Sequence, residues 1–251
     1  MRSPDNAFLA SRIGRFDGQC AIVTGASRGI GYAIAALLAE LGARVALVAR
    51  SSEAIAAAAE SAGPAAVGIA CDVASDRGPA EIVGRALAGF ARIDILIHCA
   101  GVITQDEIAK ADLAALEQMF RVNSLAPYAL TQAALPALKQ TRGQVLFINS
   151  SILGAADLGG RGGYAATKYA LKAVADSLRS EVNEHGVRVI SIMPGTTATA
   201  SQERLHAMAG KPYRPERLLQ PVDVAMAVCD ALAMPRTAEI TDLYIRPMQK
   251  P

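Results

Sequence analysis

Tyr164 and Lys168 stand four residues apart in Tyr164-Ala165-Ala166-Thr167-Lys168, at the front of a long amphipathic run. On a helix, side chains at i and i+4 share one face, so this spacing holds an ammonium beside a phenol. A free phenol ionises near pH ~10, too high for efficient proton exchange at neutral pH. A neighbouring positive charge favours the phenolate and draws that value toward working range. The pair therefore reads as a proton donor and acceptor.

A second constellation, Thr24-Gly25-Ala26-Ser27-Arg28-Gly29-Ile30-Gly31, follows an apolar run and opens directly into a helical one. Glycines let the chain turn sharply there and bring backbone N–H groups up to a pyrophosphate at the positive end of the helix. The spacing is GxxxGxG rather than GxGxxG. Chains that hold NAD place an acid about 20 residues beyond such a loop, against the ribose 2'-hydroxyl. Here Ala49-Arg50-Ser51 occupies that place. A guanidinium at Arg50, joined by Arg28, can grip a 2'-phosphate through charge-assisted bonds, so NADP(H) is the expected cofactor. Gly25, Ser27, Arg28, Gly29, Ile30, Gly31, Arg50 and Ser51 are its expected contacts.

These two groups need a scaffold that brings positions 24 and 164 together. Short apolar runs at 20–24, 44–49, 66–71, 93–99, 144–149, 187–193 and 240–245 alternate with helical stretches at 30–41, 52–61, 77–91, 113–139, 164–184 and 221–233. Most of the strands lack polar alternation, as parallel strands covered on both faces do. The order predicts an α/β chain: a single-domain, Rossmann-like doubly wound sheet of about seven parallel strands with helices on both faces. A (β/α)8 barrel would need an eighth strand and helix. Residues 16–251 read as that domain, and 1–15 as a flexible arm without the apolar segment of a secretory signal. The glycine-rich 154–163 and the mixed-charge 196–219 resist assignment. The latter follows Pro194-Gly195 at the carboxyl end of a strand, where ligands bind in such sheets, and is expected to be a substrate lid.

Taken in this order, the residues make the chain resemble the short-chain dehydrogenase/reductase family over roughly 18–233. The resemblance is carried by 24–31, Asp72-Val73, Ala100-Gly101, Asn123, Ser151, Tyr164, Lys168 and Pro194-Gly195, with Ser151 and Tyr164 spaced 13 apart. It implies that Tyr164 is the acid/base, that Ser151 polarises the substrate carbonyl, that Lys168 lowers the tyrosine and holds the nicotinamide ribose, and that Asn123 anchors a water relay. Ser150 stands next to Ser151 as a bystander, because Ser151 begins the family's SxxG. Asp72 and Val73 would meet the adenine, Ala100 and Gly101 would line the cofactor, and Pro194, Gly195, Thr197 and Thr199 would hold the carboxamide and diphosphate side. The implied activity is hydride transfer between NADP(H) and a carbonyl or secondary alcohol, as in 3-oxoacyl and general ketone reductases. A silent NADP(H)-sensing regulator and an epimerase or dehydratase on the same fold are the alternatives.

Two departures stand out. His98-Cys99-Ala100-Gly101 replaces the family's Asn-Asn-Ala-Gly, which predicts altered bracing with catalysis retained, and His98 as a structural residue. The ending Ile240 to Pro251 lacks the glycine-containing tail of many tetrameric members, so a homodimer is expected as readily as a homotetramer. The remaining composition narrows the field. With 25 Lys+Arg against 23 Asp+Glu the net charge is +2, which points to neither nucleic acid nor an anionic membrane. The chain is 52% hydrophobic with 4% aromatics and no Trp, so the core is built from Ala, Val, Ile and Leu and disorder is excluded for most of it. No uncharged apolar stretch reaches membrane length; the richest, 29–49, is broken by Glu40 and Arg44. Cys20, Cys71, Cys99 and Cys229, like His98, His185 and His206, lack metal-ligand spacing, and a reducing cytoplasm is the expected compartment. The substrate is expected to meet Val102, Ile103, 152–163 and, from the lid, Arg204, Leu205, Met208 and Tyr213. Arg204, Lys211, Arg214 and Arg217 can bind an acidic tail or solvate a loop, and solvation, the commonest case for exposed loop charges, is the expected reading.

Overall fold

The computed structural model describes residues 15–249. The arm expected over 1–15 lies outside them save for Arg15, whose guanidinium donates to the Ala233 carbonyl at 3.2 Å. Phe16 is already fully buried in the core, with its N–H on Leu41 O.

Seven strands form one all-parallel sheet: β1 (Cys20–Thr24), β2 (Arg44–Ala49), β3 (Ala66–Ala70), β4 (Ile95–His98), β5 (Gln144–Ile148), β6 (Arg188–Pro194) and β7 (Asp242–Ile245). Their order is 3-2-1-4-5-6-7, with the direction of winding reversed between β1 and β4. Alternate residues serve opposite cores, which is why the runs show no polar alternation. Ala21, Val23, Val45, Leu47, Ile95, Ile97, Leu146 and Ile148 face one core, and Cys20, Ile22, Ala46, Val48, Leu96, Val145 and Phe147 the other. The first core is closed by α1 (Gly29–Glu40), α2 (Ser52–Ala62) and α8 (Pro221–Leu232), the second by α3 (Gly78–Phe90), α5 (Ala126–Thr141) and α6 (Gly162–Val182).

Three stretches differ from the sequence expectation. The run 113–139 is not one helix: α4 (Leu113–Phe120) passes through a π turn (Arg121–Leu125) before α5 begins. Pro127 stands just after that turn, where it cannot donate an N–H to the helix ladder, while the apolar periodicity runs on across the junction. Segment 151–154 is a 3-10 turn. The lid region is not irregular: it contains α7 (Ala200–Met208), capped by Thr199 Oγ1, and a 3-10 turn at Pro215–Arg217. Its ends are joined, with Leu219 N–H on Thr196 O at 3.1 Å and Ala198 N–H on Leu219 O at 2.7 Å. Leu205, Leu218 and Leu219 are buried, which gives the segment the apolar anchor that its charges obscured.

Candidate active site

The carboxyl ends of the strands open into a cleft of about 1360 Å³ where the winding reverses, the place where parallel sheets of this kind take ligands. At its β1 side, Gly25 and Gly31 leave no room for a side chain. A Cβ on Gly25, which has φ +66°, would stand 2.8 Å from Ala100 Cα, and one on Gly31 would stand 2.5 Å from Gly25 O. Helix α1 begins immediately behind them with no side-chain cap and no acid in its first turn. Its free N–H groups and positive end therefore face the cleft, and an anion is the complement of that arrangement. Ser27, Arg28, Gly29 and Ile30 line the same end. Arg50 and Ser51 line it from the end of β2, Ser51 Oγ also accepting the Ala54 N–H as the cap of α2. The guanidiniums of Arg28 and Arg50 are exposed and have no ion-pair partner among the described residues.

Asp72 and Val73 line the cleft beyond β3. One Asp72 carboxylate oxygen accepts the Ala74 N–H at 2.9 Å, which fixes the loop. Ala100 and Gly101 line it beyond β4, and Pro194, Gly195, Thr197 and Thr199 beyond β6. Thr24 Oγ1 accepts both the Cys99 and Ala100 N–H groups at 3.1 Å, so a threonine hydroxyl pins the turn in which the family's asparagines are missing.

Tyr164 and Lys168 reach the cleft from the first turns of α6, and Ser150 and Ser151 from the end of β5. Lys168 is buried and donates to Ile148 O at 3.1 Å; its Nζ lies 5.8 Å from the centre of the Tyr164 ring. Burial lowers its pKa to about 8, opposed by the neighbouring Cys99 thiol. The same desolvation raises the Tyr164 phenol above its ordinary value. Ser150 opposes that rise and draws the phenol back down. Ser150 Oγ also accepts the Ile152 N–H, while Ser151 starts the 3-10 turn.

Asn123 does not line the cleft. It sits fully buried in the π turn, its Oδ1 accepting the Val102 N–H and its Nδ2 donating to Val102 O, both at 2.8 Å, and to Thr167 Oγ1 at 3.1 Å. It thereby ties α6, one residue before Lys168, to the loop whose Val102 and Ile103 line the cleft. A π turn is costly and concentrates at functional positions; this one places Asn123 where an unbroken helix would not.

His98 lies off the cleft, fully buried, stacked on Phe147 at 4.8 Å and bonded through Nε2 to Thr131 Oγ1 at 2.8 Å. Burial drives its pKa down to about 3, so it is a neutral structural residue. Cys99 does line the cleft, its thiol pushed up to about 12 by burial. Arg161, within the 152–163 stretch expected to meet substrate, lines it, and so do Asn149, Gln202 and Gln220, which no motif singled out. Asn149 hides in an apolar strand, and its side-chain amide is buried without a hydrogen-bond partner among the described residues. Of the lid residues expected to meet substrate, Leu205 and Tyr213 line the cleft, whereas Met208 is exposed and Arg204 lies away from it. Among the described residues there is no group of metal-binding side chains, and no helix is long and apolar enough to cross a membrane.

A Rossmann-like parallel sheet with a glycine-turn anion cradle and a tyrosine–lysine pair in one cleft defines an oxidoreductase that works with a nicotinamide cofactor. The chain belongs to the short-chain dehydrogenase family, whose model matches residues 19–210. It is 31% identical over 229 residues to an uncharacterized oxidoreductase of Staphylococcus epidermidis, covering 91% of this chain and 96% of the relative. It is 34% identical over 212 residues to the L-fucose dehydrogenase of Bos taurus, covering 83% and 78%. Among solved structures, the alcohol dehydrogenase of the archaeon Thermococcus sibiricus in complex with 5-hydroxy-NADP superposes with a TM-score of 0.83 at 30% identity, covering 93% of this chain and 98% of that one. A metagenomic short-chain oxidoreductase in complex with NADP gives 0.80 at 31%, covering 93% and 99%.

Proposed function

We propose that the protein is an NADP(H)-dependent reductase or dehydrogenase that interconverts a carbonyl and a secondary alcohol, with Tyr164 as its acid/base. The convergence of Tyr164, Lys168 and the two serines on the cleft that holds the glycine turn carries this reading. NADP(H) is favoured by the unpaired guanidiniums of Arg28 and Arg50 at the ribose end, in the place where an NAD-binding chain keeps an acid. Both structural relatives described above bear NADP-type cofactors. The nicotinamide supplies or accepts the hydride. The chain's own part is to align the substrate carbon and to move one proton at its oxygen. In reduction Tyr164 gives its phenolic proton to the nascent alkoxide, Ser151 donates a hydrogen bond to that oxygen, Ser150 orients the phenol, and buried Lys168 holds positive charge beneath them. Asn123 keeps the 100–102 loop and α6 in register.

Residues 196–219 act as the lid, Leu205 and Tyr213 closing on the substrate. Leu125 and Tyr128, exposed and three residues apart, support assembly into a homodimer or homotetramer. Four free cysteines suit a reducing cytoplasm. The test is a panel of ketones, diketones, oxoacyl thioesters and steroids assayed with NADPH and with NADH. At least one is turned over with NADPH, and Tyr164→Phe abolishes turnover while nucleotide affinity, followed by fluorescence, changes little. Full activity in Tyr164→Phe would move the acid/base elsewhere, and a protein that binds NADPH but turns over no substrate would be the sensing regulator.

A further inference from the structure

The lid wall has two faces. Leu205, Tyr213 and Pro215 line the cofactor cleft, while His206, Pro212, Arg214 and Leu218, interleaved with them in sequence, line a separate recess of about 320 Å³ completed by Lys211 and Arg217. The chain is fixed around this recess. Helix α7 ends with Gly210 N–H on Ala207 O at 3.1 Å and Lys211 N–H on His206 O at 2.9 Å, the paired bonds of a Schellman motif that turn the chain back over the helix end. His206 is oriented through Nδ1 to Gln202 O at 2.9 Å and by the edge of Tyr213 at 5.5 Å. Arg217 is steadied by Gln249 at 3.0 Å.

The charges of the recess are unbalanced. The side chains of Lys211 and Arg214 make no ion pair or hydrogen bond among the described residues. The nearby acids Glu203 and Glu216 do not line the recess. Three cations and a histidine around a floor of proline and leucine repel one another, and an anion converts that repulsion into attraction. Two guanidinium forks and an ammonium match a dianion with several acceptor oxygens better than a single carboxylate. We infer that the recess formed by His206, Lys211, Arg214 and Arg217 is a binding site for a phosphate group, distinct from the cofactor cleft. Occupancy ties the end of α7 to the 3-10 turn at Pro215–Arg217, and so stiffens the wall that carries Leu205 and Tyr213 on its other face. The phosphate belongs either to a free anion or to the tail of a substrate that reaches round the lid.

The probe is inorganic pyrophosphate, titrated calorimetrically into protein saturated with NADP+ so that the cofactor cleft is filled. One saturable site is expected. Arg214→Ala/Arg217→Ala weakens it at least tenfold, the double lysine variant retains most of it, and Arg28→Ala leaves it unchanged. Turnover separates the two sources. If the phosphate is a substrate tail, the double alanine variant raises KM at least tenfold for a phosphorylated ketone and not for its phosphate-free analogue. If it is a free anion, pyrophosphate alters turnover of the phosphate-free ketone in the native protein and not in the variant. Absence of saturable binding, equal binding by the alanine variant, or loss of binding with Arg28→Ala alone overturns the site.

Discussion

Ser150 and Ser151 are adjacent, yet their neighbours give them different work. Ser150 draws the Tyr164 ionisation down against burial; removing its hydroxyl leaves burial unopposed. The phenol is protonated at neutral pH, so reduction proceeds there, while oxidation needs the phenolate and accelerates as pH rises. Ser150→Ala is expected to move that rising limb of the oxidation profile to higher pH. Ser151→Ala is expected to lower kcat by about 10²–10³, the cost of one oxyanion donor, without moving the limb. Steady-state pH profiles of both variants check this, and a limb that moves only in Ser151→Ala reverses the two roles. His98 gives a separate pH effect. Its folded pKa of about 3 lies below the unfolded value of about 6.5, so below pH ~6.5 the unfolded chain binds a proton that the folded one refuses. Stability is therefore lost as pH falls through that window, by about 1.4 kcal/mol per pH unit. Urea unfolding at pH 6.5 and 4.5 should show a shallower loss for His98→Asn than for the native chain; equal slopes would mean that His98 titrates normally.

At the scale of elements, segment 196–219 and the π turn depart most from the sequence expectation. Segment 196–219, the proposed lid, is joined at its base by the bonds between Thr196, Ala198 and Leu219, and within it Leu205 is buried while Met208 is exposed. With so small an apolar anchor, α7 should open at little cost. Trypsin is expected to cut free protein after Arg204 and Arg217, since Lys211 and Arg214 precede prolines. NADPH with a carbonyl ligand should suppress both cuts at least fivefold. Equal protection without ligand would make the segment a fixed wall. In the π turn, Asn123→Leu removes both bonds to Val102 and leaves the peptide groups of that loop unpaired. A loss of about 2–4 kcal/mol in stability is expected from two such buried groups, read by denaturant midpoint.

Over the whole molecule, the cleft is lined from strand ends that are far apart in sequence, so a cofactor held there would be felt as global stability. At a concentration one hundred times its Kd, a ligand that binds only the folded state adds about 2.7 kcal/mol. For a chain of this size that is a rise of roughly 5–10 °C in Tm. NADPH should give this rise, NADH at the same concentration much less, and Arg50→Ala should narrow the difference through the loss of a charge-assisted phosphate bond worth about 1.5–3 kcal/mol. Equal shifts in the native protein would remove the basis for NADP(H) preference.

The sheet was legible in the sequence because two-sided burial writes itself as uninterrupted apolar runs, and the glycine turn because steric exclusion at Gly25 and Gly31 admits only that residue. The tyrosine and lysine were legible because helix geometry alone puts i and i+4 on one face. What the tertiary structure decided was whatever depends on neighbours distant along the chain. The break at Arg121–Leu125 carries no signal in hydrophobic periodicity, since a π turn adds one residue to a helix without changing its composition. The helix inside 196–219 was masked by charges that face solvent, and its anchor, Leu205, counts as apolar only once the wall of the cleft stands beside it. The family resemblance singled out Ser151 over Ser150, but how each hydroxyl stands to the phenol depends on how the end of β5 lies against α6. The direction of the Tyr164, Lys168 and His98 ionisations was likewise set by burial. One-dimensional pattern records what a residue must avoid; three-dimensional packing decides what it touches.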